Sequence, residues 1–392
     1  MSMTRSAIVL GLLVTAGPLA IDMYLPAMPT IADDLSTTTE GVQATLIAYF
    51  TVFGLAQMVY GPWSDAVGRR RPLMVGLGIF ALGSLGSAVA TEVGTLIAAR
   101  AVQAAGAASL MVVPRAVIRD MHTGPQATRL MALIMLVISV SPMLAPLIGS
   151  GLIALGDWRL IFWALAAVAV ADLALVTFAL PETMARRVPV DLRAMWAGAR
   201  VLLTDRTFMA LTFVGGFGMA SFFVFLASAA FVYVEQFGLT PTGFSLAFAI
   251  NALGFFAASQ LAAPLGMRVG MARMVLVATL GFAAMAVLTF GAVLVFGASL
   301  PLVVGGLFLA NAFLGLVVPS TMVMALDPHG EIAGLASSLG GTLQMVAGGA
   351  AVAASAPFFD GTATPMLAAI ALCGVAASAL ALVAARPVPA VA

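Results

Sequence analysis

Two ionisable residues lie deep in apolar sequence, where charge has little use except in chemistry. Asp22 is the only carboxylate in the first apolar run, and Arg100 lies in the fourth. Asp22 lies about two helical turns before the C-terminal end of its run, and Arg100 about two turns after the N-terminal end of its own. Successive spans bring those ends to one outer side, so equal depth permits pairing. An ionisable group at such depth costs roughly 3 kcal/mol or more, and is usually paired or faces a cavity. A carboxyl can take up and release a proton, and doing so would free a paired guanidinium. The same two residues could instead form a static salt bridge between two helices.

Other charges offer lesser candidates. Asp172 is a second carboxylate within an apolar run, either a further proton site or a structural group bonded locally. Arg115 and Arg119, one turn apart, could gate with Asp120 or Asp172, or could simply mark a membrane face. The loop Gly61 to Arg71, reading GPWSDAVGRRR, packs a carboxylate and three arginines between two apolar runs. So dense a charge cluster must lie where water or lipid head groups hold it.

The elements that would position these groups are transmembrane helices. Of the 392 residues 62% are hydrophobic and the mean hydropathy is +1.12, more apolar surface than a soluble domain can bury. Apolar runs near 7–28, 41–62, 72–90, 95–118, 126–150, 159–180, 207–234, 243–265, 273–296, 299–324, 332–357 and 364–385 are each near span length. The expected fold is therefore an all-α integral membrane protein with twelve transmembrane helices. All 17 basic residues are arginine. With an even span count and both termini cytoplasmic, Arg5, Arg69 to Arg71, Arg119, Arg129, Arg186, Arg187, Arg193, Arg200, Arg206, Arg268, Arg273 and Arg386 face inward. Arg159 alone faces out, a strong positive-inside bias. The scattered arginines do not suggest nucleic-acid binding.

A polar interval near 181–206 divides the chain into an N-terminal bundle, 1–183, a cytoplasmic linker, 184–206, and a C-terminal bundle, 207–392. In the linker, Leu192, Met195, Trp196, Ala199 and Leu202 recur at helical spacing, as an interfacial helix requires. A simple ordered tether is the alternative. Pro62, Gly68 and Arg71 recur as Pro264, Gly270 and Arg273 at an offset of 202, with Met267 where the acid would be. This echo suggests two pseudo-symmetric six-helix halves with a site between them.

Several chemistries find no support. The chain has no lysine, which removes a P-loop ATPase and a retinal Schiff base. Cys373 is the only cysteine, His122 and His329 lie far apart, and no metal-ligand cluster is visible. The first run carries Gly17, Pro18 and Asp22 and lacks a clear cleavage site, so it is expected to be a retained helix.

The loop residues Gly61, Asp65, Gly68, Arg69 and Arg70 match a G-x-x-x-D-x-x-G-R-R pattern, which resembles the signature of the major facilitator superfamily. Asp22 to Pro29, Leu96-x-x-x-Arg100-x-x-Gln103, and Pro142 to Gly149 resemble motifs of its drug:proton antiporters, with Ala104 and Ala145 replacing two motif glycines. Adding Trp158 to Phe162, Phe231 to Glu235 and Ala333 to Ser338, the chain is similar to the bicyclomycin and chloramphenicol/florfenicol resistance exporters (Bcr/CflA type).

That resemblance implies a proton-coupled exporter of multiple drugs or phenicol-type antibiotics in the bacterial inner membrane, working by alternating access. It would be a monomer using no cofactor except the proton gradient, with small amphiphilic drugs, protons and the bilayer as partners. Asp22 would couple proton to substrate, with Arg100 as partner. Asp65 would latch one side, accepting from the N–H groups of a helix start and from Arg69 or a facing arginine, or would form only a fixed loop salt bridge, while Gly61 and Gly68 allow close approach and a tight turn. Pro142 and Pro146 would bend or stiffen their helix. Tyr24, Tyr49, Phe53, Gln103, Phe222, Phe225, Asn251, Asn311 and Gln344, with Asp22, are candidate walls of an apolar drug site, although such residues taken singly more often serve helix packing or lipid contact. A proton-coupled uptake symporter for a small metabolite is the alternative on the same fold.

Overall fold

Proline interrupts the first apolar run just beyond Asp22. Helix α1, Met3–Asp22, stops there because Pro26 has no N–H for the Asp22 carbonyl and Pro29 has none for that of Leu25. The chain passes through a 3₁₀ turn, Leu25–Ala27, into a short α2, Met28–Asp34. The helix expected near 7–28 is thereby corrected to two pieces, and Asp22 becomes the last residue of the first. The computed structural model describes residues 3–121, 124–184 and 191–384. His122, Arg186, Arg187, Arg386 and the side chain of Arg129 lie outside the described residues.

The remaining apolar runs form α3 (Thr39–Val67), α4 (Arg70–Ala88), α5 (Val93–Met121), α6 (Gly124–Leu155) and α7 (Arg159–Ala179). After the linker helix α8 (Leu192–Thr204) come α9 (Arg206–Phe231), α10 (Pro241–Val269), α11 (Met271–Phe296), α12 (Leu300–Leu326), α13 (Ala333–Ser355) and α14 (Ala363–Ala384). Among the described residues, ten apolar helical segments are long enough to cross a membrane, and one of them, Leu300–Phe358, contains both α12 and α13. Helix caps follow sequence: the Thr38 hydroxyl accepts from Gly41 N–H, and the Asp205 carboxylate accepts from Thr207 and Phe208 N–H groups.

Two compact units divide the chain. One holds Met1–Asp191 with Gly238–Ala249, the other Leu192–Phe237 with Ile250–Ala392. The linker helix thus packs with the second unit, and the first turns of α10 with the first. Within the first unit, α5 lies between α3 and α4, α4 also packs on α7, and α1 packs on α6. Within the second, α9 meets α12, α13 and α14, and α11 meets α12 and α14.

Helices α4 and α5 approach at backbone distance. A Cβ on Gly83 would overlap the Gln103 backbone, and one on Gly106 would overlap Phe80. Small residues permit this in a membrane, where packing rather than hydrophobicity holds helices together. Gly106→Ala is therefore expected to cost about 1–3 kcal/mol through overpacking. Gly78→Ala in α4 meets open space and should be neutral or slightly stabilising. Thermal unfolding of the two purified variants in one detergent checks the contrast.

Candidate functional site

Among the described residues of the first unit, Arg100 is the most completely enclosed charge, with 0% exposure. The last carbonyls of α1 have no intrahelical donor once the helix stops at Asp22. Arg100 reaches across from α5 and donates to one of them, the Ala20 carbonyl, at 2.8 Å. It also donates to Gln103 Oε1, while Gln103 Nε2 donates to Ser84 Oγ at 2.8 Å. Its guanidinium carbon lies 4.7 Å from the Tyr24 ring centroid, 4.4 Å from that of Tyr49 and 5.8 Å from that of Phe162. A cation at the negative end of a helix, faced by three rings, is balanced by dipole and quadrupole rather than by a full charge.

The two tyrosines are held in turn. The Thr45 hydroxyl hydrogen goes to the Val42 carbonyl at 2.6 Å, so Tyr24 is the donor in its 2.8 Å contact with Thr45. Tyr49 donates to the Gly17 carbonyl at 3.4 Å and stacks on Phe53 at 6.0 Å.

Asp22 sits at the break in α1, 4% exposed and within electrostatic reach of Tyr49. Among the described residues its carboxyl has no ion-pair or hydrogen-bond partner. The expected Asp22–Arg100 pairing is not formed here: no ion pair joins them, and Arg100 turns NH1 to the end of α1 and to Gln103 while its Nε and NH2 are buried without a hydrogen-bond partner among the described residues. Gly149 of α6 presses on the Met23 backbone beside Asp22, where a Cβ would overlap. Gly149 is thus a site residue whose role as a contact point was invisible until α6 and the break were placed together.

At the arginine-rich end of the same unit, Gly68 adopts φ +101° and turns the chain from α3 into α4. Arg69 is 5% exposed and bridges Asp65 and Asp120, donating to Asp120 from Nε at 2.7 Å and from NH2 at 3.2 Å. It also donates to Ser64 Oγ at 2.9 Å. The backbone N–H groups of Arg69 and Arg70 donate to the Glu182 carboxylate at 2.9 and 3.2 Å, and Arg70 NH2 to the Thr177 carbonyl at 2.8 Å.

Several expectations are corrected by this arrangement. Asp65 does accept from Arg69, but the helix start is capped by Glu182, which reaches it from beyond α7. Asp120 pairs with Arg69, not with Arg115 or Arg119. Arg115 contacts Met111 Sδ at 3.2 Å and has no carboxylate partner among the described residues. Asp172 is buried with Oδ2 unpartnered. Gly61 is not a close-approach point, since a Cβ there would meet only Val112 at an ordinary 4.0 Å. Helix α6 runs on through Pro142 and Pro146, and the Pro146 carbonyl accepts from Ser245 Oγ at 2.9 Å.

Burial would raise the Glu182 carboxyl, but backbone N–H groups of Arg69, Met184, Arg70 and Thr183 outweigh it and hold it below its ordinary range. A lowered carboxyl contributes stability above its unfolded-state value and loses it as pH falls through the folded one. Glu182→Gln is expected to cost about 1 kcal/mol at neutral pH, as loss of a charged helix cap does. The gap from wild type should close in acid, which pH-dependent melting would register.

The opposite end of this unit is tied by Arg159, which donates to Asp34 and Asp157 at 2.8 Å each and to the Ala90 carbonyl at 2.9 Å. Two carboxylates thus neutralise it. In the second unit, Gly270 takes φ +87° between α10 and α11, repeating the turn of Gly68 at the offset of 202. Phe222 stacks on Phe255 at 6.1 Å and touches Phe225, which is buried, as are Asn251 and Asn311. Gln344 Nε2 donates to the Thr212 carbonyl at 3.5 Å. Tyr24, Tyr49, Phe53 and Gln103 therefore share one cluster of the first unit, and the other five wall candidates belong to the second.

A family model described as Major Facilitator Superfamily matches residues 10–352. The chain belongs to that superfamily. It is a transporter fold and a multi-pass membrane protein. Among its relatives in the superfamily, an uncharacterized MFS-type transporter, YdgK, of Bacillus subtilis is 33% identical over 348 residues, 87% of this chain and 86% of that one. A bicyclomycin resistance protein homolog of Haemophilus influenzae is 30% identical, covering 91% of this chain and 90% of its own. A D-xylose-proton symporter of known structure superposes with a TM-score of 0.78 at 15% identity, over 99% of this chain and 98% of that chain, which concerns the fold alone. Similarity to bicyclomycin and chloramphenicol resistance proteins places the chain beside Bcr/CflA-type members of the superfamily.

Proposed function

We propose that the protein is a proton-coupled exporter of amphiphilic drugs or phenicol-type antibiotics. Twelve spans in two pseudo-symmetric six-helix bundles would alternate access to a site in the bacterial inner membrane, both termini being cytoplasmic. The arginine distribution supports that orientation, and the relatives named for bicyclomycin and chloramphenicol resistance support the substrate class. The protein works as a monomer without a cofactor, and the proton gradient supplies the energy.

The observation that carries the reading is a carboxyl at a helix break with no counter-charge, two residues from a carbonyl that holds a buried arginine. An ionised carboxylate in such surroundings is costly, and taking up a proton removes the cost. Once Asp22 loses its proton, Arg100 is the cation at hand to leave the Ala20 carbonyl and meet it. Drug and proton then compete for one site, and the protein moves them in opposite directions. Asp65, Arg69, Asp120 and Glu182 hold one end of the first bundle as a latch, with Gly68 as its turn. Asp172 and Arg115 are secondary charges of the same bundle.

Everted vesicles with an imposed pH gradient test this reading. Labelled chloramphenicol should enter vesicles that are acidic inside and leave when the gradient is collapsed. Movement in the opposite sense would establish an uptake symporter instead.

A further inference from the structure

The linker helix α8 is covered on one face by its own unit and bare on the next. Gly198, Ala199 and Leu202 are buried, and Leu335 and Ile332 stand where a Gly198 side chain would go. By contrast Leu192 is 73% exposed, Trp196 71% and Leu203 42%. At 3.6 residues per turn these three fall within roughly 40° of one another round the helix, and Arg193 and Arg200 occupy the next roughly 60°. The order round α8 is therefore packed stripe, apolar flank, arginine flank.

A helix bathed in water has no reason to display a tryptophan and two leucines side by side. Helix α8 ends at Thr204, and α9, an apolar helix of membrane-crossing length, begins at Arg206. That short junction holds α8 at the end of a span, where a bilayer has its head groups. No acidic residue lies within α8. Asp205, just after it, is committed to capping α9 through one oxygen, while the other faces His329 Nε2 at 3.1 Å. Asp191 stands immediately before α8, so the charge that the helix itself presents is that of its two arginines, and these beside the apolar flank suit one kind of surface.

We propose that α8 is a docking surface for anionic phospholipids, with Leu192, Trp196 and Leu203 in the acyl boundary and Arg193 and Arg200 at phosphate level. The arginine stems allow this, since they can lie along apolar surface while the guanidinium reaches the phosphates. The flank is independent of Asp22, so failure of the proton-coupling account would leave it standing.

The test uses the full chain in nanodiscs of phosphatidylcholine alone or with added phosphatidylglycerol. Trp196 emission is isolated by difference from Trp196→Phe and quenched with acrylamide from water or with brominated acyl chains from lipid. Phosphatidylglycerol should shield Trp196 from acrylamide and expose it to the brominated chains, and added salt should reverse both. Each of Arg193→Gln and Arg200→Gln should lower the docked-to-free ratio roughly five-fold. Both arginines are exposed, so these variants keep the fold. Equal quenching in the two lipids, or indifference to both substitutions, would overturn the proposal. So would shielding in neutral lipid that grows with protein concentration, which would make the occupant a second copy.

Discussion

Asp22→Asn is expected to leave the protein folded in the membrane and to abolish proton-driven export. The amide has nearly the shape of the carboxyl, and Asp22 makes no hydrogen bond or ion pair among the described residues, so no partner is stranded. What the variant loses is the ability to take up and release a proton. One pH unit supplies about 1.4 kcal/mol per proton, roughly a ten-fold accumulation for each proton exchanged. Wild-type vesicles should show accumulation that rises with the gradient, and Asp22→Asn vesicles should show none at any gradient. The thermal midpoint should stay close to that of wild type, which separates lost coupling from lost fold.

The largest effect on stability is expected from Arg69→Gln. Its guanidinium holds Asp65, Asp120 and Ser64 together from a position that is almost fully enclosed. Removing the charge leaves two carboxylates facing one another with their donor gone. Breaking a fully buried pair costs about 3–5 kcal/mol, and the partial exposure of Asp120 and Asp65 reduces that to about 2–3 kcal/mol. Arg69→Lys should recover only part, because an ammonium cannot span two carboxylates with fixed forked donors. Melting of the three purified proteins in one detergent orders them as wild type, Arg69→Lys, Arg69→Gln.

Much of this architecture could be read from sequence because it rests on local rules. Span-length apolar runs fix helices, Gly68 and Gly270 mark turns that need positive φ, and the spacing of Ala199 and Leu202 marks a helix packed on one side. The superfamily was legible from the loop at Gly61 to Arg70, since its glycines, acid and arginines stand at set spacing. What the sequence does not announce depends on residues far apart in the chain. Glu182 lies 113 residues from the Arg69 N–H it caps, and Asp120 lies 51 from the guanidinium it holds. No periodicity announces such partners.

The Asp22–Arg100 expectation shows the limit more sharply. Equal depth in two helices correctly brought both residues into one region of the first unit, yet depth carries no information about where α1 ends. Pro26 and Pro29 are visible in the sequence, but that α1 ends at Asp22 and leaves the Ala20 carbonyl to Arg100 is not. The apolar stripe of α8 was similarly divided: Ala199 and Leu202 pack inward while Leu192 and Trp196 do not, because the stripe is wider than the surface that α13 offers.

Proton release on drug binding tests the central claim most directly. Purified protein in weakly buffered detergent, above the pH at which drug and proton compete equally, is mixed with a drug that it has been shown to export, and the pH of the solution is followed. The account predicts that wild type releases protons in proportion to drug bound, and that Asp22→Asn binds drug without releasing any. Release undiminished in Asp22→Asn, or binding to wild type with no release at any pH, would contradict it.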